Sequence, residues 1–129
     1  MSKNLYEKEI FQDVEFPDTN TVEYIDCTFN KCTFENSNIN NCFFTNCKFN
    51  NCNLSNSRFV GTRLSDCEFT NCRLIGFDWG VLLKLMPLEV KLTKCNLDYS
   101  IFFDIKFIES SFLNCSFKEA SFESVSLRG

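Results

Sequence analysis

The chain has no histidine. That removes Ser-His and Cys-His nucleophile pairs, the commonest general acid–base group and the commonest metal ligand. No Cys-x-x-Cys pair, no Gly-rich phosphate loop and no zincin or calcium-loop pattern occurs either. Carboxylate pairs are the remaining route to acid–base chemistry, but surface Asp and Glu are usually solvated or paired, so an enzyme is not expected. No motif calls for a cofactor. The opening MSKNLYEKEI lacks the apolar core of a signal peptide, and no apolar run is long enough to span a bilayer. No linker rich in Pro, Gly and Ser divides the 129 residues. A single domain, 1–129, with a cytoplasmic location and no membrane association, is the expectation.

Cysteine and phenylalanine, by contrast, are abundant, at nine and sixteen residues. Every cysteine (Cys27, Cys32, Cys42, Cys47, Cys52, Cys67, Cys72, Cys95, Cys115) lies two residues before a Phe or Leu. From Cys27 the chain reads CTFNK, CTFEN, SNINN, CFFTN, CKFNN, CNLSN, SRFVG, TRLSD, CEFTN, CRLIG, FDWGV. A bulky apolar centre holds the third place: Phe29, Phe34, Ile39, Phe44 and onward to Trp79. A second register runs through Leu92, Leu97, Phe102, Phe107, Phe112, Phe117, Phe122 and Leu127. Such internal repetition outranks every other signal.

A period of five fits neither a helix nor a flat strand. Centre and centre-minus-two share one face of an extended piece, and an odd step of five sends the next pair to the other face unless the chain bends. A bend of one sense in every repeat winds the chain into a coil, two residues in and three out. Asn40-Asn41, Asn50-Asn51 and Gly61 fall at the bends, where positive φ is tolerated.

Over roughly residues 22–127 the chain resembles the pentapeptide-repeat proteins, whose pattern is a small residue, Asp or Asn, Leu or Phe, and two variable residues. The resemblance implies an all-β fold, a right-handed quadrilateral parallel β-helix of about five coils. Residues 1–21 would form an amino-terminal cap and first partial coil, and 80–91 one inserted loop. Turns in register at roughly 4.8 Å then place residues twenty apart over one another, in ladders Phe29-Phe49-Phe69, Phe34-Leu54-Leu74, Ile39-Phe59-Trp79 and Phe44-Leu64.

Three readings of the cysteines compete. Disulfides within the columns Cys27-Cys47-Cys67 and Cys32-Cys52-Cys72 would need Cβ atoms closer than stacked side chains bring them. Metal binding would need convergent thiolates, which a column does not present. The third is packing: Ser37, Ser57, Thr62, Ser100, Ser110 and Ala120 fill the same slot, and free cysteine behaves as a small buried hydrophobe. Packing is the favoured reading. The same register pairs Lys48 with Glu68, Arg58 with Asp78 and Asp98 with Lys118, and stacks Asn30 on Asn50 and Asn51 on Asn71 as amide ladders.

Thirteen residues separate the centres Trp79 and Leu92, so with one repeat between them about eight are extra. Val81, Leu82, Leu83, Leu85, Met86 and Leu88 either fold over the coil as a satellite cluster, with a turn ending before Pro87, or form an exposed apolar loop that docks a partner. A smaller slip, across Pro17-Asp18-Thr19-Asn20, reads as a turn between the cap and the first coil.

The stretch CNLDYSIFFDIKFIESSFLNCSFKEASF, following GFDWG and a loop, is similar to the quinolone-resistance pentapeptide-repeat proteins and the microcin B17 immunity protein. That likeness implies mimicry of duplex DNA and engagement of DNA gyrase or topoisomerase IV, aided by the loop at Gly80–Leu88. It makes Asp26, Asp66, Asp78, Asp98 and Asp104 candidate partner-binding acids. The sequence stops at Leu127-Arg128-Gly129 while still in repeat, so either it is a fragment or short relative, or its last coil is an open edge that invites a homodimer. Charge is uneven: residues 1–26 carry seven acids and two bases, 27–64 one acid and four bases, and 65–129 nine acids and seven bases, which sums to −4. Overall acidity argues against direct nucleic-acid binding. Two functions follow: a DNA-mimicking modulator of a type II topoisomerase that confers quinolone or toxin resistance, or a structural scaffolding module that binds some other protein.

Overall fold

A computed structural model describes residues 4–128. Most strands are two or three residues long because each occupies one side of a coil and ends at a corner. All the strand pairs are parallel. Corners recur two residues after most centres, with φ between 48° and 68°. Asn36, Asn41, Asn46, Asn51, Asn56, Asn71 and Asn114 hold seven of them, as befits the non-glycine residue that best tolerates the left-handed region. At Gly61 a Cβ would stand 2.5 Å from Asn41 Oδ1, and at Gly76 it would stand 2.6 Å from Asn56 Oδ1. Here glycine also makes room for the asparagine of the coil below.

Four columns of centres line the core. On the first side Tyr6, Tyr24, Phe44 and Leu64 stack in order. Leu88, beside the Glu89 that pairs with Ser65, continues the column to Phe107 and Leu127. The second side stacks Phe11, Phe29, Phe49, Phe69, Leu92 and Phe112. That column alone counts six coils, one more than the sequence reading. The extra coil comes from residues before 22, where Tyr6, Phe11 and Phe16 are already centres. Phe11 lies eighteen positions before Phe29 rather than twenty, because Pro17-Asp18 cuts a corner and Thr19 takes the place below Ile39.

The interruption is smaller than expected. Leu88 is itself a centre, so Trp79 to Leu92 spans two steps of five and only three extra residues, not eight. From Leu64 to Leu88 the step is twenty-four, and between Glu89 and Val90 the ladder skips one residue opposite Ser65–Cys67. The inserted segment is also shorter than 80–91, since Glu89–Thr93 is a strand. It begins with a 3-10 turn at Trp79–Val81, whose N-terminus is capped by Asp78 accepting the Gly80 N–H at 2.9 Å.

Rings stack along the second side at 5.0, 4.7 and 4.6 Å with interplanar angles of 7–9°. In-register strands hold side chains parallel, so this column adopts near-face-on stacking where free rings would tilt. Neighbouring columns meet edge to face, as in Phe29 against Phe34 at 5.7 Å. The expected Phe59-Trp79 step differs. Phe77 fills a slot that Ser57 and Ser100 hold in adjacent coils, its ring set edge-on to Phe59 at 5.2 Å and to Trp79 at 5.0 Å. Trp79 stacks instead on Phe102. The bulk of Phe77 separates the two coils locally, and among the described residues Asp78 bridges Ile101 above but not Arg58 below.

Candidate functional site

The thiols come first, because they are the most abundant reactive groups. All nine are free, and eight are buried, Cys115 being half-buried. Each lies near a backbone carbonyl one coil earlier. Cys52 Sγ donates to Phe29 O at 3.1 Å, Cys72 to Phe49 O at 3.2 Å and Cys67 to Phe44 O at 3.3 Å. Hydroxyls in the same slot do likewise: Ser37 Oγ to Phe16 O at 2.8 Å and Thr62 Oγ1 to Ile39 O at 2.6 Å. Most slot residues are thus small and carry a donor that reaches the coil below, a second feature the sequence pattern did not reveal, whereas Ser57 donates within its own coil to Leu54 O at 2.6 Å and Ala120 carries no donor. Burial pushes the Cys47 thiol up to about 12 and raises Cys27, Cys32, Cys42 and Cys67 as well. Cys72, hydrogen-bonded to Cys52 and Cys95 in its column, is also pushed up, and the same hydrogen bonds lower those two partners. A protonated, enclosed thiol is a poor nucleophile and a poor metal ligand. Among the described residues no group of three His, Cys, Asp or Glu is placed to hold a metal ion.

Outward chemistry is set by the ladders. Asn50 Nδ2 donates to Asn30 Oδ1 at 3.0 Å, and Asn71 Nδ2 to Asn51 Oδ1 at 2.5 Å. Lys48 and Glu68 are register partners, as the twenty-residue repeat predicts. Asp98 meets the backbone of Lys118 rather than its ammonium: Oδ1 accepts the Lys118 N–H at 2.8 Å and the Ser116 hydroxyl. Those hydrogen bonds, the Ser116 hydroxyl foremost, hold its carboxyl below the ordinary range.

The five candidate acids do not converge. Asp26 and Asp66 share one corner column with Asn46 between them, whose Nδ2 donates to Asp26 at 2.7 Å. Asp78 and Asp98 sit on two other sides, each occupied with backbone N–H groups. Asp104 is a corner residue beside the inserted segment, 3.9 Å from Lys84 Nζ.

The six apolar candidates divide. Leu82 and Leu88 are buried, while Val81 and Leu83 are half-buried. Neither half of the satellite-or-dock alternative describes them, because these residues are part of the coil. Leu85 and Met86 project, 78% and 59% exposed. Near them Phe103 is 48% exposed, with Lys84 Nζ 5.9 Å from its ring centroid, and Arg63 Nη2 lies 3.3 Å from Met86 Sδ. The sequence reading named none of Arg63, Lys84, Phe103 and Lys106. Arg63 and Lys106 stand forty-three positions apart, which is two coils plus the three-residue insertion. Only the corrected register shows them on one side.

Four-sided coils, stacked columns and inward small slots define a parallel β-solenoid built from five-residue repeats. A family described as a pentapeptide repeat region matches residues 22–83. Among solved structures it is similar to trypsin-treated QnrB1, a plasmid-mediated fluoroquinolone resistance protein, at 17% identity and a TM-score of 0.61, covering 98% of this chain and 73% of that one. It also matches Rfr23, a pentapeptide repeat protein from the cyanobacterium Cyanothece 51142, at 14% identity and a TM-score of 0.44, covering 96% and 87%. No curated protein matches the sequence.

Proposed function

We propose that this chain is a non-enzymatic binding protein that acts on a type II topoisomerase, DNA gyrase or topoisomerase IV, and protects it from a quinolone or a toxin. The observation that carries this reading is the likeness to QnrB1 over 98% of the chain. The exposed Leu85 and Met86, raised on an insertion, supply a place for a protein to dock. The buried thiols leave recognition as the task of the outward residues. Action in the cytoplasm fits the reading, since nine free thiols persist best where glutathione keeps them reduced. No helix among the described residues is long and apolar enough to cross a membrane. A second copy stacked on the last coil belongs to the same proposal, because Phe122 and Leu127 are 56% and 69% exposed there. Purified protein added to gyrase in a supercoiling assay should restore activity in the presence of a fluoroquinolone. No protection at large molar excess would overturn the reading.

The alternative, a scaffolding module with no topoisomerase activity, is favoured by one observation. The candidate acids lie on different sides of the coil, and a mimic of duplex DNA needs a continuous anionic face. Under that alternative the loop still binds a protein, but one without a groove for DNA.

A further inference from the structure

Between the inserted segment and the outer wall of the coils lies a groove of about 370 Å³, lined among others by Lys84, Leu85, Met86, Asp104, Lys106 and Arg128. One wall is apolar, made by Leu85 and Met86. The other is basic. Lys106 and Arg128 have no acidic partner among the described residues, and Arg63 approaches from the margin through Met86. Asp104, 70% exposed, is the single acid of the lining and meets only Lys84. This basic groove sits on a chain of net charge −4, on the side of Arg63 from the mildly basic stretch 27–64.

We propose that the groove binds an acidic, apolar peptide segment of a partner protein, with an aliphatic or aromatic side chain on Leu85 and Met86 and carboxylates on Lys106 and Arg128. Charge complementarity selects the acids, and the exposed thioether and leucine select the apolar side chain. A small inorganic anion would satisfy the bases and leave Leu85 and Met86 uncovered. A nucleic acid would face a chain that is acidic overall. The inference rests on the reading of the loop as a docking site and not on the identity of the partner.

Fluorescence anisotropy with a short labelled peptide that mixes Glu and Leu tests it. Two control peptides replace Glu by Gln, or Leu by Ser, and inorganic phosphate and a duplex oligonucleotide serve as competitors. The Glu/Leu peptide should bind, and each control should lose roughly tenfold in affinity. Lys106→Gln with Arg128→Gln, and separately Leu85→Ser with Met86→Ser, should lose a similar factor while melting as the unaltered protein does. Equal affinity for the Gln peptide on the unaltered protein overturns the proposal, whatever the variants do. So does displacement by phosphate or duplex at concentrations below that of the peptide. If peptide binding fails while gyrase protection succeeds, the groove is eliminated and the topoisomerase reading stands. The reverse result eliminates the topoisomerase and keeps the groove.

Discussion

The Phe49 ring lies 4.6 Å from that of Phe69 and within 8° of parallel, and Phe29 caps its other face at 4.7 Å. Phe49 is wholly buried, so it is held by rings above and below and by adjacent columns at its edge. Stability in a stacked repeat is a sum of neighbour interfaces, and an alanine here opens two of them at once. Phe49→Ala should lower the unfolding free energy by about 3–5 kcal/mol in denaturant titration. Phe122→Ala, at an exposed position of the last described coil, should cost clearly less.

Gly61 faces a tighter limit. Its φ of +64° and the 2.5 Å approach of Asn41 Oδ1 both oppose a Cβ. Gly61→Ala should destabilise by about 1 kcal/mol or more, from the left-handed backbone alone. Asn41→Gly in the same chain removes the clash, keeps the left-handed corner at 41 accessible and leaves the φ of position 61 unchanged, so it should recover part of the loss. Full recovery would show that the backbone conformation costs nothing.

Much of this was legible in the sequence. A bulky residue every five positions is a statement about which atoms face inward, and it fixed the columns and the place of Lys48 beside Glu68. Two features resisted for physical reasons. Leu88 was hidden because Pro87 and the missing residue at Glu89–Val90 break the five-residue spacing on both sides of it. Phe77 puts a bulky ring in a slot that is otherwise small, and only the packing shows that ring set edge-on to both Phe59 and Trp79. The basic groove was illegible for a third reason. Lys84, Lys106 and Arg128 come from the insertion and two different coils, and only the corrected register brings them together.

The thiols should show a graded accessibility. In native protein at neutral pH, Cys115 should react with a maleimide first, and Cys67, fully enclosed, last. All nine should label after denaturation, read by intact mass. Seven thiols have raised folded values and make stability fall with alkali, outnumbering Cys52 and Cys95, which are lowered by hydrogen bonds from their column. For a raised thiol, folded and unfolded forms are both neutral below the ordinary value of 9.0, and above it only the unfolded one ionises until the folded value, about 12 for Cys47, is approached. Melting temperature should therefore be flat from pH 7 to 9 and decline beyond it.

Asp98 contributes on the acid side. Its carboxyl, held below the ordinary 3.8 by the Ser116 hydroxyl and the Lys118 N–H, stabilises the fold at any pH above that value. The contribution is lost as pH falls through the lower, folded value. Asp98→Asn should lower the melting temperature at pH 7 and make less difference below pH 3, a convergence that thermal melts across that interval would show.

Whether recognition lives on the inserted loop is tested most directly by binding of purified gyrase to immobilised protein. The unaltered chain would be compared with the Leu85→Ser, Met86→Ser pair and with the Asp26→Asn, Asp66→Asn pair. The loop pair should weaken binding by tenfold or more, since an exposed apolar anchor of this kind is worth upward of about 1 kcal/mol at an interface. Full binding by the loop pair, with loss confined to the corner acids, would contradict a docking role for the loop and point instead to the anionic surface.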